Sequence, residues 1–171
     1  VDGVPVISWE KALASGLEGA RFLLAIGDNE ARQRTARLIV EAGGQLLSLV
    51  HPQAIVDSTA TIGAGAMIMA SAIVNADAKI GTGAIINTAS IVEHGSHVGD
   101  FAHISPNATL GGNARVGDRA HVGLSATVLP DIEIGCDARV GAGSVVVQSV
   151  AAGATVMGVP AREKSATSAS G

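Results

Sequence analysis

Residues 86–104 read INTASIVEHGSHVGDFAHI, and every sixth position is a branched aliphatic: Ile86, Val92, Val98 and Ile104. The beat runs well beyond this stretch. From Val56 to Val146, sixteen successive positions at a spacing of six are all Val, Ile or Leu. The residue two places earlier is Ala or Ser in fifteen of the sixteen, Ile132 being the exception. Glycine often follows the aliphatic, as at Gly63, Gly81, Gly99, Gly117, Gly135 and Gly141. Six steps along an α-helix turn a side chain well off its starting face. A single flat strand of this length is equally excluded. A chain that turns a corner after each short strand satisfies the period: the aliphatic points inward, the small residue lets the backbone bend, and the glycine relieves the corner.

Such a chain is a parallel β-helix, each coil pairing with the next at about 4.8 Å. The general expectation for crossovers between parallel strands is right-handed. The pattern resembles the hexapeptide-repeat proteins, however, and that resemblance implies a left-handed, three-faced column with eighteen residues per coil. Val56 to Val146 would then supply about five coils. The fold class expected is mainly β: a left-handed parallel β-helix of hexapeptide repeats preceded by a partial small α/β domain.

Composition agrees with a thin, regular core. The 171 residues include 22 glycines, two Phe, one Trp and no Tyr, and small side chains fill only a narrow interior at normal packing density. The net charge is −4 with no basic run, so nucleic acid, which wants clustered Lys/Arg and stacking aromatics, is not an expected partner. No apolar run reaches the roughly eighteen residues of a membrane span. The single Cys136 excludes an internal disulfide, and with no signal-peptide pattern the expected compartment is a reducing cytoplasm.

Three segments follow. Residues 1–50 read as a partial α/β unit, its start apparently missing because the chain opens on Val1. RFLLAIGDN is a short strand with Asp28 and Asn29 as helix N-cap candidates, EARQRTARLIVEAGG an amphipathic helix stopped at Gly43–Gly44, and QLLSLVHP a second strand. A strand followed by a glycine turn and a helix start can hold phosphate, although an ordinary strand-to-helix turn reads the same way. Residues 51–150 are the β-helix. Residues 151–171 read as a turn followed by a flexible Ser/Ala/Thr tail.

Three of the five histidines, His94, His97 and His103, fall within ten residues beside Glu93 and Asp100. With residues eighteen apart stacked, His103 lies under His121 and His94 under Gly112. None of the five occupies a core aliphatic position, so all should point outward or sit at corners; for His51 and His97 a solvated surface role is the simple reading. Zinc is not expected: hexapeptide-repeat carbonic anhydrases use a close histidine pair with a distant third, and gaps of three, six and eighteen do not match. General-base chemistry fits better. A neutral imidazole can take a proton from an attacking amine or hydroxyl, a carboxylate such as Glu93 can orient it, and a glycine amide at Gly111 or Gly112 can meet an oxyanion.

GVPV near the start, AIGDNEARQ, LVHPQAIV, IINTASIVEH, VGDFAHISP, VGAGSVV and the closing GVPA together make the chain similar to bacterial sugar acetyltransferases of the sialic acid O-acetyltransferase type. That family includes the nucleotide-sugar N-acetyltransferases of bacillosamine and perosamine derivatives. The resemblance implies that His94, with Glu93 beside it, is the base and that Asn87 helps position the acceptor. It places His103 at the acetyl-CoA thioester, the Gly112 amide at the carbonyl oxygen, Leu124 and Ala142 along the pantetheine, and Arg162 and Lys164 near the CoA phosphates. It implies acetyl-CoA as cosubstrate, no metal, and a homotrimer with active sites between subunits. The expected activity is transfer of acetyl to the amine of a nucleotide-linked amino sugar; the alternatives are O-acetylation of sialic acid or a related sugar, and a non-catalytic trimeric module. Two departures stand out. Gly95 occupies the place where the family often has an acidic residue, and the family's opening strand and glycine-rich turn have no counterpart ahead of Val1.

Overall fold

The computed structural model describes residues 3–164. Its body is a three-sided column of two-residue parallel strands, a left-handed β-helix. A first face stacks Leu49–Val50, Met67–Ile68, Ile85–Ile86, His103–Ile104, His121–Val122, Arg139–Val140 and Thr155–Met157. The second runs from Ile55–Val56 to Val145–Val146, and the third from Thr61–Ile62 to Glu133–Ile134. Register follows the eighteen-residue coil: Ile91 lies opposite Thr109, His97 opposite Arg115 and His103 opposite His121. Strand amides bond straight to the next coil, as from Ile91 N–H to the Ala108 carbonyl at 2.9 Å.

The aliphatic of each hexad fills the interior: Ile68, Val74, Ile86, Val92, Val98, Ile104, Leu110, Val122, Val128 and Ile134 are all fully buried. Each contributes roughly 1.5–3 kcal/mol by leaving water. The small residue two places earlier also points inward at the corner, which is why Ala66, Ala84, Ser96 and Ala114 are completely buried.

The glycine after the aliphatic does a different job from the one expected. The corner's left-handed conformation falls two residues further on, at Ser71, Asp77, Phe101, Asn107, Asn113 and Asp131 among others, and most of these are not glycine. At Gly99 and Gly117 the constraint is instead close approach: a Cβ there would meet Asp118 N at 2.7 Å and Cys136 N at 2.5 Å. Those glycines permit coil stacking rather than a special φ.

Before the column lies a small α/β unit. Helix α1 (Trp9–Ala14), capped by Ser8, was not signalled by the sequence. Helix α2 (Asn29–Glu41) is capped by Asp28, whose carboxylate accepts the Ala31 amide at 2.8 Å. Two parallel strands, Arg21–Phe22 and Gln45–Leu46, complete it. The strand expected in QLLSLVHP therefore divides: Gln45–Leu46 belongs to this sheet, while Leu49–Val50 begins the first face of the column. The column is thus longer than the five coils expected, although its last coil shortens, with Arg139 facing Thr155 after sixteen residues rather than eighteen.

The unit is anchored on the column through a shared core of Leu17, Leu24, Ala36, Ile39 and Phe101. Phe101 reaches it from a column corner at φ +57°, and its ring fills the space a Cβ on Gly83 would need. At the other end, Arg162–Glu163 folds back antiparallel on Val156–Met157. The part of the expected flexible tail after Lys164 lies outside the described residues.

Candidate active site

His94 stands at the corner between the second and third faces, after Ile91–Val92 and before His97–Val98. It is exposed. The imidazole lies under the glycine one coil above: a Cβ on Gly112 would come within 2.8 Å of both Cε1 and Nε2. Only glycine leaves room for the ring. The Gly112 carbonyl accepts from Asp131 N–H at 3.0 Å, whereas among the described residues the Gly112 N–H has no partner. A base and an open amide donor therefore share one corner. Glu93 contributes differently from expectation, its carboxylate accepting the backbone N–H of His94 at 3.3 Å rather than holding the ring. Above Gly95 sits the Asn113 side chain, which donates to Asp131 Oδ1 at 3.2 Å.

The second group of candidates lies under the α/β unit. Asn87 and His103, sixteen residues apart, meet at 2.9 Å between Nδ2 and Nε2. The His103 ring stacks on His121 with centroids 5.0 Å apart, and His121 Nε2 meets Ser105 Oγ at 2.8 Å. Burial, with His121 and the Arg32 cation nearby, pushes the His103 pKa down to about 4, and burial likewise lowers that of His121. Both rings are neutral at physiological pH. The outward position on a strand was read correctly for both; the cover over them was not.

That cover is held by Arg32 and Asn29, to which the sequence reading gave no such role. Arg32, on α2, is fully buried, and its guanidinium donates to five carbonyls and one amide oxygen: Gly83 O at 2.7 Å, Phe101 O at 2.6 Å, Ala102 O at 3.4 Å, Ile26 O at 2.9 Å, Gly27 O at 3.2 Å and Asn29 Oδ1 at 2.8 Å. Desolvation lowers its pKa to about 10, so it remains charged. Asn29 donates to the Arg119 carbonyl at 2.8 Å. The available signal was Arg32 on the helix face shared with Ala36 and Ile39, where an unpaired cation is unusual.

The remaining candidates are spread along the column. Leu124 and Ala142 stack at the corner between the first and second faces, both exposed. Arg162 lines a cavity of about 250 Å³ at the C-terminal end with Gln148 and Glu163, and Lys164 is exposed beside it. A cavity of about 210 Å³ adjoins Asn87 and His103, walled by Ile26, Gly27, Met67 and Ile85. Among the described residues no three His, Cys, Asp or Glu side chains gather as a metal site, and no helix is long and apolar enough to cross a membrane.

These pieces do not meet within one chain. In a three-sided column the corner carrying His94 is opposite the face carrying His103. The base and the Asn87–His103 pair look outward on different sides.

Comparison with known proteins places the chain beside solved transferases. PerB from Caulobacter crescentus, in complex with CoA and GDP-perosamine, superposes with a TM-score of 0.91 at 40% identity, covering 96% of this chain and 80% of that one. A perosamine N-acetyltransferase from the same organism has also been solved with one histidine replaced by asparagine. The acetyltransferase domain of PglB from Neisseria gonorrhoeae FA1090, in complex with acetyl coenzyme A, gives 0.91 at 36% identity over 96% of this chain and 80% of that one. Among curated proteins, UDP-N-acetylbacillosamine N-acetyltransferase of Bacillus subtilis is 44% identical over 49 residues, 29% of this chain and 23% of that protein. No family model matches the sequence.

Proposed function

The chain belongs to the bacterial sugar N-acetyltransferases built on hexapeptide repeats, and from that premise we propose that it transfers acetyl from acetyl-CoA to the amine of a nucleotide-linked amino sugar. The observation that carries this is the His94 corner, where an exposed imidazole lies against the open amide of Gly112. As the acceptor nitrogen forms its bond to the thioester carbon, His94 takes the departing N–H proton. The negative charge that collects on the carbonyl oxygen is met by the Gly112 N–H, preorganised by the coil. When the C–S bond breaks, His94 returns the proton to the thiolate, and CoA leaves as the thiol.

The rest of the site comes from a second copy. On the second face the outward column is Ile55, Ile73, Ile91, Thr109, Thr127 and Val145, without a charge, whereas the third face presents Lys79, His97, Arg115 and Glu133. Three columns with their uncharged faces turned to a common axis bring the His94 corner of each chain against the Leu124–Ala142 corner of the next. Asn87, beside that second corner, then reaches the acceptor, and the exposed Leu124 and Ala142 line the pantetheine. Arg162 and Lys164 at the column end would meet the CoA phosphates. Acetyl-CoA as donor makes the cytoplasm the working compartment. On this reading residues 1–50 serve the sugar nucleotide and the column serves the transfer.

The test is CoA thiol release over a panel of UDP- and GDP-amino sugars and free sialic acid, with solution mass measured alongside. Turnover on an amino-sugar nucleotide by a trimer is expected. Turnover confined to sialic acid would make the chain an O-acetyltransferase, and a fully active monomer would refute the shared site.

A further inference from the structure

We propose that Asn113 is a specificity-determining residue of the transfer site: its side-chain carbonyl is a second hydrogen-bond acceptor beside His94, and it selects an amine over a hydroxyl. Residues 94 and 95 of one coil lie under residues 112 and 113 of the next. At both places one side chain fills the room that a glycine leaves. The His94 ring reaches up beneath Gly112, and the Asn113 amide reaches down over Gly95, where a Cβ would come within 2.4 Å of Oδ1. The two groups stand side by side in one gap between coils. The Asn113 N–H, donating to the His94 carbonyl at 2.9 Å, ties them through the backbone.

The amide has one orientation. Nδ2 donates to Asp131 Oδ1 at 3.2 Å, one coil further on, and a carboxylate only accepts, so the amide oxygen is turned down towards the corner. Among the described residues Oδ1 has no partner. Asn113 sits at φ +58°, which asparagine tolerates, so a plain corner role would explain its own residue type. It would not explain Gly95. The stacked residues Asp77 and Asp131 hold φ +59° and +60° without being glycine. What needs glycine at position 95 is the amide oxygen above it.

A hydroxyl brings one hydrogen to this corner, and His94 takes it. An amine brings two. His94 removes one as the bond to the thioester carbon forms. The other stays on nitrogen through to the amide product and needs an acceptor once the substrate has displaced water. Asn113 Oδ1 is that acceptor. Being uncharged, it does not favour the ammonium form, which has no lone pair for attack, as a carboxylate would.

Resting on the transferase reading, this assignment adds what His94 alone lacks, because one imidazole serves either nucleophile. The probes are an amino-sugar nucleotide that the parent acetylates and the same nucleotide with a hydroxyl in place of the amine. Asn113→Gly suits the positive φ and removes only the amide. The KM for the amine should rise about tenfold with kcat within about threefold, while the inhibition constant of the hydroxyl analogue stays within about twofold. Asp131→Gly, equally suited to its φ, only releases the amide and should move the amine KM the same way by about threefold. Equal changes with both probes, or parental values in either folded variant, would overturn the proposal. So would a fall in kcat with the amine KM unchanged, which would mean that the base had been disturbed. If Asn113→Gly does not fold, Asp131→Gly decides alone. A parent that acetylates no amino-sugar nucleotide refutes the transferase reading itself; an active parent whose variants keep its selectivity refutes only the role of Asn113.

Discussion

Two histidines nine residues apart, half a coil, have opposite surroundings. His94 is exposed at a corner beneath a glycine; His103 is covered by a second structural unit and bonded to an amide. The column gives both the same stiff backbone, so cover alone separates their chemistry. An imidazole that must gain and lose a proton each cycle needs access to substrate and solvent. One that must hold a neighbour still needs the reverse, because protonation would destroy its acceptor. What lies over each ring therefore decides its role.

The most damaging way to break this contrast is to remove the exposed ring. His94→Ala should lower kcat/KM by about 10²–10⁴-fold. The melting temperature should stay within a degree or so, because the side chain is exposed. Equal turnover by the variant and the parent in the thiol-release assay would take His94 out of the mechanism.

Gly112→Ala should come next. Its methyl would stand 2.8 Å from the His94 ring, which can give way only by moving off its position under the amide. A displacement of about an ångström costs on the order of 10²-fold in rate, while the exposed corner absorbs the methyl with little loss of stability. Parental kinetics in this variant would mean the ring works from another rotamer.

The covered ring is tested by pH. The His103 pKa is depressed from 6.5 to about 4 in the folded protein. The unfolded chain therefore binds the proton first, and the stability contributed by the neutral ring is full above pH 6.5 and lost as pH falls towards 4. Discounted for the ring's partial exposure, the loss is about 2 kcal/mol, with the depressed His121 acting in the same direction. Melting curves from pH 7.5 to 4.5 should fall more steeply for the parent than for His103→Gln. Parallel curves would show that the ring is not held neutral.

The sequence made one side of the contrast readable and hid the other. Stacking at eighteen residues follows from the period alone, so His94 under Gly112 was visible before any coordinates. The interior followed too, because every hexad aliphatic has one place to go. The φ of the corners did not. Periodicity says where the chain turns, not how, and Phe101 at φ +57° reads as an ordinary bulky residue until its ring is seen closing the core of the α/β unit. The cover over His103 was hidden for a related reason: its bonds join residues 51, 69 and 90 positions apart, outside any repeat. The place of Arg32 on the apolar face of its helix hints at burial, but its partners, mostly backbone carbonyls, leave no trace in the sequence.

Glu93 sharpens the comparison most finely, because it neighbours the exposed ring and looks like its partner. The carboxylate accepts the backbone N–H of His94 at 3.3 Å, so it is bonded to the backbone of the corner rather than to the imidazole. A glutamine in its place keeps an oxygen for that bond and loses only the charge, a difference worth under about 1 kcal/mol at an accessible site. Glu93→Gln should therefore change kcat by less than about fivefold and leave the pH–rate profile in place. Were the carboxylate to swing onto the ring during turnover, its removal would both lower the rate by a further order of magnitude and shift the acidic limb downwards. The limb is the better discriminator. A rate loss alone follows from any disturbance of the corner, whereas a displaced limb requires that the charge be felt by the proton His94 carries.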